Sequence, residues 1–415
     1  MRERIWLWIK RLWHRPGFRI SAFGATALLA ALVAPLVDRS LPDALVERFS
    51  REAVLPVLNI LASSMLAVTT FSLGNMVQAF RSAAGQATPR VYQLLMQDMT
   101  TLNVMSIFVG AFLFSLVSIV MFQTGFYGDT AAVVVSGLTM VCIVMIVIAM
   151  LRWIAHLSQL GSLHHTLSLV EAVAKPPLER LADEPNFGAR PASHSPRAPE
   201  DARPLYAPKT GFVQFISVEE LNSQLETEDA TLWVFAPPGR WVLKGTPLAF
   251  VDGDFDTEGL LGNFTLGDER TAEQDARFGL VILSEVASRA LSPGVNDPGT
   301  AIDVIHRVER ILWDLGQRMC NEGRDTTIHY PRVIIGSVSA ENLIQDGYST
   351  LMEDGGDRFD VMAQVLKATS RLSQSEWPEL AQAAEAARDS AFEIIDRRID
   401  NPSSVATLRE KAAEV

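Results

Sequence analysis

Long runs of apolar residues without a charge dominate the N-terminal part of the chain. The runs cover residues 20–37, 53–80, 99–128 and 130–151. A helix needs roughly 20 apolar residues to cross the hydrocarbon core of a bilayer. The pattern therefore predicts four transmembrane helices. The first run is expected to remain as a span, because Asp38 stands where a signal peptide would carry a small-residue cleavage site.

The spacing of apolar and polar positions changes several times along the rest of the chain. Helical periodicity gives way to strand-like alternation near residue 210 and returns near residue 270. The predicted fold is an α-helical membrane protein with a cytoplasmic α+β region, in which a small β-sandwich-like module precedes a mostly helical part. The predicted domains are a basic amphipathic N-terminal segment at 1–19, a four-helix transmembrane domain with a helical extension at 20–174, a Pro-rich linker at 175–209, the small β module at 210–256 and a mainly helical cytoplasmic domain at 257–415.

Individual elements follow from the same pattern. Thr88 and Pro89 are a helix-start signal, and that helix is predicted to run through Asp98 straight into the third span. Strands are predicted at 211–216, 230–236, 241–253 and 330–339, and helices at 218–226, 271–291, 298–321, 341–352, 357–372 and 378–400.

Lysine and arginine are concentrated on one side of the predicted spans. They are frequent before the first span and follow the second and fourth, whereas acidic residues offset those between the first two. This bias predicts a membrane protein with both termini in the cytoplasm. Cys142 and Cys320 are predicted to be unpaired, as suits a reducing compartment. The net charge of −12 argues against nucleic acid as a partner.

The second span carries a stripe of small and polar residues along one helical face. Two interpretations stay open. Small residues permit close packing of helices, and hydroxyl groups bond across them. Alternatively, the stripe lines a water-filled path for a solute. At about 100° per residue, the stripe consists of Asn59, Ser63, Ala67, Thr70 and Gly74.

The third span has a comparable face, formed by Asn103, Ser106 and Gly110. The spacing of Ser106 and Gly110 is that of a small-residue helix contact, which favours packing of spans two and three. None of the four predicted spans contains an Asp, Glu, Lys, Arg or His. That composition argues against a proton relay or a charge-carrying antiporter.

Motifs of common catalytic and cofactor sites are missing from the sequence. It contains no G-x-S-x-G, no P-loop and no dinucleotide fingerprint. His156, His164 and His165 follow the fourth span, and they are interpreted as a solvated face rather than a metal site. We therefore expect no catalytic residue, no metal and no cofactor, and we do not expect an enzyme.

RALSPGVNDPGTAID, residues 289–303, connects two predicted helices. Pro293 and Gly294 break the first helix, and Asp297 with Pro298 is a strong start for the second. One interpretation is a rigid corner. The other adds a ligand or subunit contact at the exposed end of the second helix. The candidate residues for that contact are Arg289, Ser292, Asn296, Asp297 and Thr300.

Five motifs together resemble one family. They are TPRVYQLLMQDMTTLN (88–103), GFVQFI (211–216), PGRWVLKGTPLA (238–249), RTAEQDARFG (270–279) and ALSPGVNDPGTA (290–301). The chain resembles the bacterial predicted membrane proteins known as domain of unknown function 2254, although Gly299 stands where that family usually has an aromatic residue. The resemblance implies a bacterial inner-membrane protein with four spans and a soluble region, and it supplies no biochemical activity.

The predicted function is an oligomeric, channel-like or solute-conducting assembly with a cytoplasmic regulatory domain. The alternative is a membrane-anchored scaffold or sensor whose cytoplasmic domain binds a protein or small-molecule partner. The expected partners are the lipid bilayer, further copies of the chain and an unidentified cytoplasmic ligand or protein.

Overall fold

Two units, each with its own core, make up the chain. Residues 2–85 and 89–166 form the membrane unit, and residues 86–88 and 167–415 form the C-terminal unit. The structure is a computed structural model. It describes residues 16–33, 49, 51–86, 88–95, 98–157, 162–192, 196–227, 229–253, 256–324 and 326–413.

The membrane unit is helical. Its helices are α1 (Pro16–Val33), α2 (Arg51–Gln86), α3 (Pro89–Leu95), α4 (Met99–Gln123) and α5 (Asp129–Leu157). Three stretches are long and apolar enough to cross a membrane: Arg51–Ser82, Met99–Gln123 and Ala131–Leu157. They correspond to the second, third and fourth predicted spans. The first predicted span starts inside α1, but residues 34–37 and the predicted amphipathic residues 1–15 lie outside the described residues, so a fourth span stays a prediction.

Apolar side chains hold the three long helices together. One cluster joins Leu58 of α2 to Phe114 and Phe122 of α4, and a second joins Met65 of α2 to Phe108 of α4. Both clusters also contain side chains of α5. Helix α1 packs closely on α4, since a Cβ atom at Gly24 would lie 2.8 Å from Leu113 Cδ1.

Two sheets lie at the start of the C-terminal unit. The strands are β1 (Ala189–Ala192), β2 (Arg203–Tyr206), β3 (Gly211–Ile216), β4 (Thr231–Val234), β5 (Trp241–Val242), β6 (Pro247–Asp252), β7 (Phe264–Gly267) and β8 (Tyr330–Gly336). The larger sheet has five strands in the order β1-β8-β4-β6-β2, and the smaller has three in the order β5-β3-β7. They share one apolar core, to which the helix Val218–Thr227 also contributes.

The predicted Pro-rich linker, residues 175–209, is instead part of the folded unit. It contains the end of helix α6 (Leu163–Asp183) and the strands β1 and β2. These strands lie at the two edges of the larger sheet. An edge strand needs no donor on its outer side, so Pro191 and Pro204 are tolerated there. The small β module therefore extends beyond the predicted 210–256, and it includes β8 from the helical region.

Helices pack on one another in the rest of the C-terminal unit. Helix α9 (Phe278–Leu291) packs on α10 (Pro298–Met319), and α10 packs on α13 (Phe359–Leu372), which also contacts α14 (Pro378–Arg398) and α15 (Pro402–Ala413). A π-helical turn, Gln345–Ser349, divides the predicted helix 341–352. The remaining helices are α7 (Val218–Thr227), α8 (Thr257–Leu261), α11 (Ala340–Ile344) and α12 (Thr350–Gly355).

Candidate functional site

The polar stripe of α2 faces away from the packed side of its helix. All of its members are exposed, whereas Leu58, Leu61 and Met65, which lie roughly opposite on the helix, are buried. The hydroxyl of Thr70 donates to the Leu66 carbonyl at 2.9 Å. The stripe, formed by Asn59, Ser63, Ala67, Thr70 and Gly74, is therefore an outer surface of this single chain.

Asn59 and Ser63 also bond within α2. The Nδ2 atom of Asn59 donates to the Leu55 carbonyl at 2.9 Å, and Ser63 Oγ donates to the Asn59 carbonyl at 2.9 Å. Transfer into lipid costs less free energy for a polar group that is hydrogen-bonded within its own helix than for a polar group without a partner. The stripe can therefore lie in a bilayer before it meets another helix.

The corresponding residues of α4 have a different environment. Ser106 and Gly110 are buried and Asn103 is half-buried. Ser106 Oγ donates to the Leu102 carbonyl at 2.7 Å. The stripe of α2 is thus exposed, whereas the corresponding face of α4 is buried. The predicted packing of the second and third spans is present, and the apolar clusters of α2 and α4 form it.

The structure places the five candidate residues of 289–303 in one tight corner between α9 and α10. Asp297 caps α10, because its carboxylate accepts from Thr300 N at 3.2 Å and from Thr300 Oγ1 at 2.6 Å. Hydrogen bonds from Thr300 keep the pKa of Asp297 below its ordinary value, although burial opposes this effect. The chain reverses at Asn296, which has a φ of 53°.

The other members of the corner also have structural contacts. Ser292 Oγ donates to the Arg289 carbonyl at 2.6 Å, and Arg358 donates to the side chain of Asn296. The backbone N–H of Asp297 donates to the Ala290 carbonyl at 2.8 Å. These contacts account for the composition of the motif, and they leave the tip, with Val295, exposed.

Most of the motif RTAEQDARFG forms a loop that hydrogen bonds hold in place. Helix α9 therefore begins at Phe278 and not at residue 271, where the sequence had predicted its start. Gln274 accepts from Ile216 N at 2.8 Å and donates to Ile216 O at 3.1 Å, so it mimics a strand partner for β3. Asp275 pairs with Arg270 at 2.6 Å. A Cβ atom at Gly239 would lie 2.0 Å from Asp275 Oδ2, so the motifs at 238–249 and 270–279 depend on each other.

A charged cluster at the start of α4 was missed from sequence. Helix α3 ends at Leu95, and Asp98 caps α4 by accepting from the N–H of Thr101 at 2.9 Å. Asp98 also pairs with His156 Nε2 at 2.7 Å. Burial alone would raise the pKa of Asp98, but hydrogen bonds from His156 and Thr101 lower it to about 2.

His156 is thus a partner of Asp98. The prediction that it belongs to a solvated face was wrong. The His165 ring lies 5.7 Å from the His156 ring. Burial is the largest effect on His165, and it lowers the pKa of that imidazole. The spacing of Asp98 and His156, 58 positions apart by their numbers, gave no local signal in the sequence.

A second cluster missed from sequence lies between α6 and α10. Glu171 is buried and accepts from Arg307 at 2.9 Å and from Arg310 at 2.6 Å. Its other oxygen lies 3.2 Å from Lys175 Nζ. Arg307 is also buried and lies 3.2 Å from Asp303. The cluster clamps α6 to α10, and the close approach of Gly279 to Ala174 fixes α6 against α9.

The family model described as "Predicted membrane protein (DUF2254)" matches residues 10–371, which is most of the chain. The chain belongs to this family. The match includes the stripe of α2, both missed clusters and the corner at 289–303, and it confirms the family that the sequence motifs indicated. Together with the three long apolar helices, it identifies a membrane protein whose biochemical activity the family description does not state.

Relatives of this DUF2254 chain include uncharacterized proteins of Mycobacterium bovis and Mycobacterium tuberculosis. Each is 26% identical over 321 residues, covering 74% of this chain and 61% of the relative. The match thus spans less than two thirds of their length. No solved structure matches the chain.

The described His, Cys, Asp and Glu side chains of this DUF2254 protein are dispersed. Across the residues that the structure describes, no group of three His, Cys, Asp or Glu side chains lies close enough to hold a metal ion. The charged clusters join carboxylates to basic partners, which suits fixing of helices. The expectation of no metal, no cofactor and no catalytic residue stays a prediction.

Proposed function

We propose that this membrane protein forms an oligomeric, channel-like assembly in which the α2 helices of several copies surround a common axis. The observation that carries the proposal is the outward direction of the α2 stripe. Small residues favour close contact between helices in a membrane, and polar ones favour contact with water or with each other. If the stripe faced only lipid, its small residues would contact no other helix and its polar groups would contact neither water nor each other.

The proposed pathway is neutral. The α2 stripe offers amide, hydroxyl and backbone groups and no charge. A path of this kind conducts by replacing part of a solute's hydration shell rather than by relaying protons. The proposed activity is conduction, without a chemical reaction. In this proposal the C-terminal unit of the protein acts as a regulatory domain.

The proposed location is the bacterial inner membrane, with a fourth span formed by residues 20–37 and both termini in the cytoplasm. The Lys and Arg bias of the segments flanking the spans supports this orientation. On this topology the C-terminal unit is cytoplasmic.

Flux through proteoliposomes tests the proposal. The purified chain should conduct a small ion or neutral solute, and Asn59→Leu with Thr70→Leu should lower that flux. Phe71→Leu is the matched control, because Phe71 is exposed but lies about 100° around the helix from Thr70. Equal flux in all three proteins, or no flux of any ion or solute above empty liposomes, would contradict conduction along the stripe.

A second candidate function is a scaffold or sensor whose C-terminal unit binds a partner at the 289–303 corner. The exposed Val295 at the tip of a tightly bonded turn favours it. Val295→Asp should then abolish a physiological response without changing flux or folding. Loss of that response in the Asn59 and Thr70 variants instead would favour conduction.

A further inference from the structure

One end of the β region presents large apolar side chains to solvent. Tyr206, Trp241 and Leu243 are 52%, 49% and 55% exposed. They come from the end of β2 and from β5 with the turn that follows it. We call these residues, together with Lys209, Arg240 and Lys244, the Trp241 patch.

Backbone contacts hold the two segments of the Trp241 patch together. Ala207 N donates to the Thr246 carbonyl at 2.9 Å, and Gly245 N donates to the Ala207 carbonyl at 2.9 Å. Lys244 N donates to Thr210 Oγ1 at 3.0 Å. The loop after β2 and the turn after β5 therefore form one rigid surface, without a change of backbone conformation needed to assemble it.

The Trp241 ring is also fixed. It packs edge-to-face on Phe212, with ring centroids 4.8 Å apart. Phe212 lies on β3, which pairs with β5. One side of the indole is thus supported by the fold, while about half of its surface is open. An indole held in this way can enter an interface at little entropic cost.

The charge of the patch is opposite to that of the chain. Lys209, Arg240 and Lys244 are exposed. Residues 203–217 and 237–251 contain no Asp or Glu, although the chain has 48 acidic and 36 basic residues. Asp268 and Glu269 follow β7, which pairs with the edge of β3 opposite β5. Asp275 approaches Gly239, but it is buried and paired with Arg270. The surface is therefore basic as well as apolar.

We propose that the Trp241 patch binds the anionic headgroup region of a phospholipid bilayer. Trp and Tyr favour the boundary between headgroups and acyl chains, and exposed Lys and Arg are attracted to anionic lipid. The chain is itself anchored in a bilayer, so that surface is present at high effective concentration. This binding goes beyond conduction, and it does not depend on the α2 stripe.

The test uses the full chain in liposomes of phosphatidylcholine, with or without phosphatidylglycerol, containing lipids brominated on the acyl chain. Subtracting the fluorescence of Trp241→Phe from that of the wild type isolates Trp241 among the 8 tryptophans. The expected result is a blue-shifted Trp241 signal that bromolipid quenches when phosphatidylglycerol is present. Phenylalanine preserves the contact with Phe212, and circular dichroism checks that the variant folds.

Charge reversal completes the test. Lys209→Glu with Lys244→Glu should abolish the quenching of Trp241, whereas Arg197→Glu, at an exposed position outside the patch, should leave it unchanged. A Trp241 signal that stays unquenched with anionic lipid overturns the proposal. Protection from aqueous acrylamide without quenching by bromolipid also overturns it, because the patch would then be covered by protein.

Discussion

Removal of the Glu171 carboxylate is expected to weaken the C-terminal unit strongly. The side chains of Glu171 and Arg307 are only 9% and 6% exposed, so Glu171→Ala leaves a buried guanidinium. Breaking a buried ion pair from one side typically costs about 3–5 kcal/mol. Arg307 retains Asp303 as a partner, and Arg310 and Lys175 can turn to water, so the expected cost is about 3 kcal/mol.

Glu179 offers a matched control on the same helix. It pairs with Arg318 at 3.0 Å, but the two side chains are 44% and 45% exposed. Exposed pairs contribute about 0–1 kcal/mol, because water and salt screen them. Glu179→Ala removes the same group from α6 and should therefore have a small effect.

Hydrogen exchange of α10 amides in the full chain measures the difference. A loss of about 3 kcal/mol corresponds to roughly a hundredfold faster exchange, whereas about 1 kcal/mol gives at most roughly fivefold. Equal exchange in the two variants would refute the reasoning that burial of Arg307 makes the pair important.

The same cluster makes a prediction about pH. Burial raises the pKa of Glu171, but hydrogen bonds from Arg310 and Lys175 outweigh this and hold it below the ordinary value of 4.5. A lowered pKa contributes stability that is complete above 4.5 and is lost as the pH falls through the folded-state value. Glu171→Gln should reduce this acid-dependent loss of α10 protection, and an unchanged pH profile would contradict it.

Two further predictions concern other contacts. Gly279→Ala should destabilise the C-terminal unit by about 1–3 kcal/mol, because the new Cβ would lie 2.2 Å from the Ala174 Cβ. Gly294→Ala is the control, because its Cβ would meet open space. Thermal unfolding of the Gly294 variant should be nearly unchanged. The lowered pKa of Asp98 stabilises the membrane unit above pH 3.8, and this contribution, about 2 kcal/mol, is lost as the pH falls toward 2. Asp98→Asn should remove that acid transition, and a transition of equal size in the variant would argue against the His156 pair.

Local sequence patterns correctly predicted the helices and strands that depend mainly on residues close together in the sequence. The apolar runs indicated the three long helices, alternation indicated β3 and β8, and the Asp297-Pro298 start placed α10 at the correct residue. In each case the signal lies within a single helix or strand or at its start. The stripe of α2 was likewise visible from residue spacing alone, but the direction it faces was not.

Contacts between distant segments had no local signal. The prolines of residues 175–209 indicated a linker. The sequence does not show that β1 in this segment pairs with β8, or that β2 pairs with β6. The same holds for Asp98 with His156 and for Glu171 with Arg307. The early start predicted for α9 failed because Gln274 bonds to the backbone of β3 instead of continuing a helix.

Cross-linking between copies in native membranes tests the central claim, that the α2 stripe faces a common axis, most directly. With Cys142 and Cys320 replaced by serine, Thr70→Cys should form disulfide-linked dimers on oxidation. Phe71→Cys, at the same depth but about 100° around the helix, should form few. Comparable cross-linking of both positions, or none at Thr70, would contradict the account.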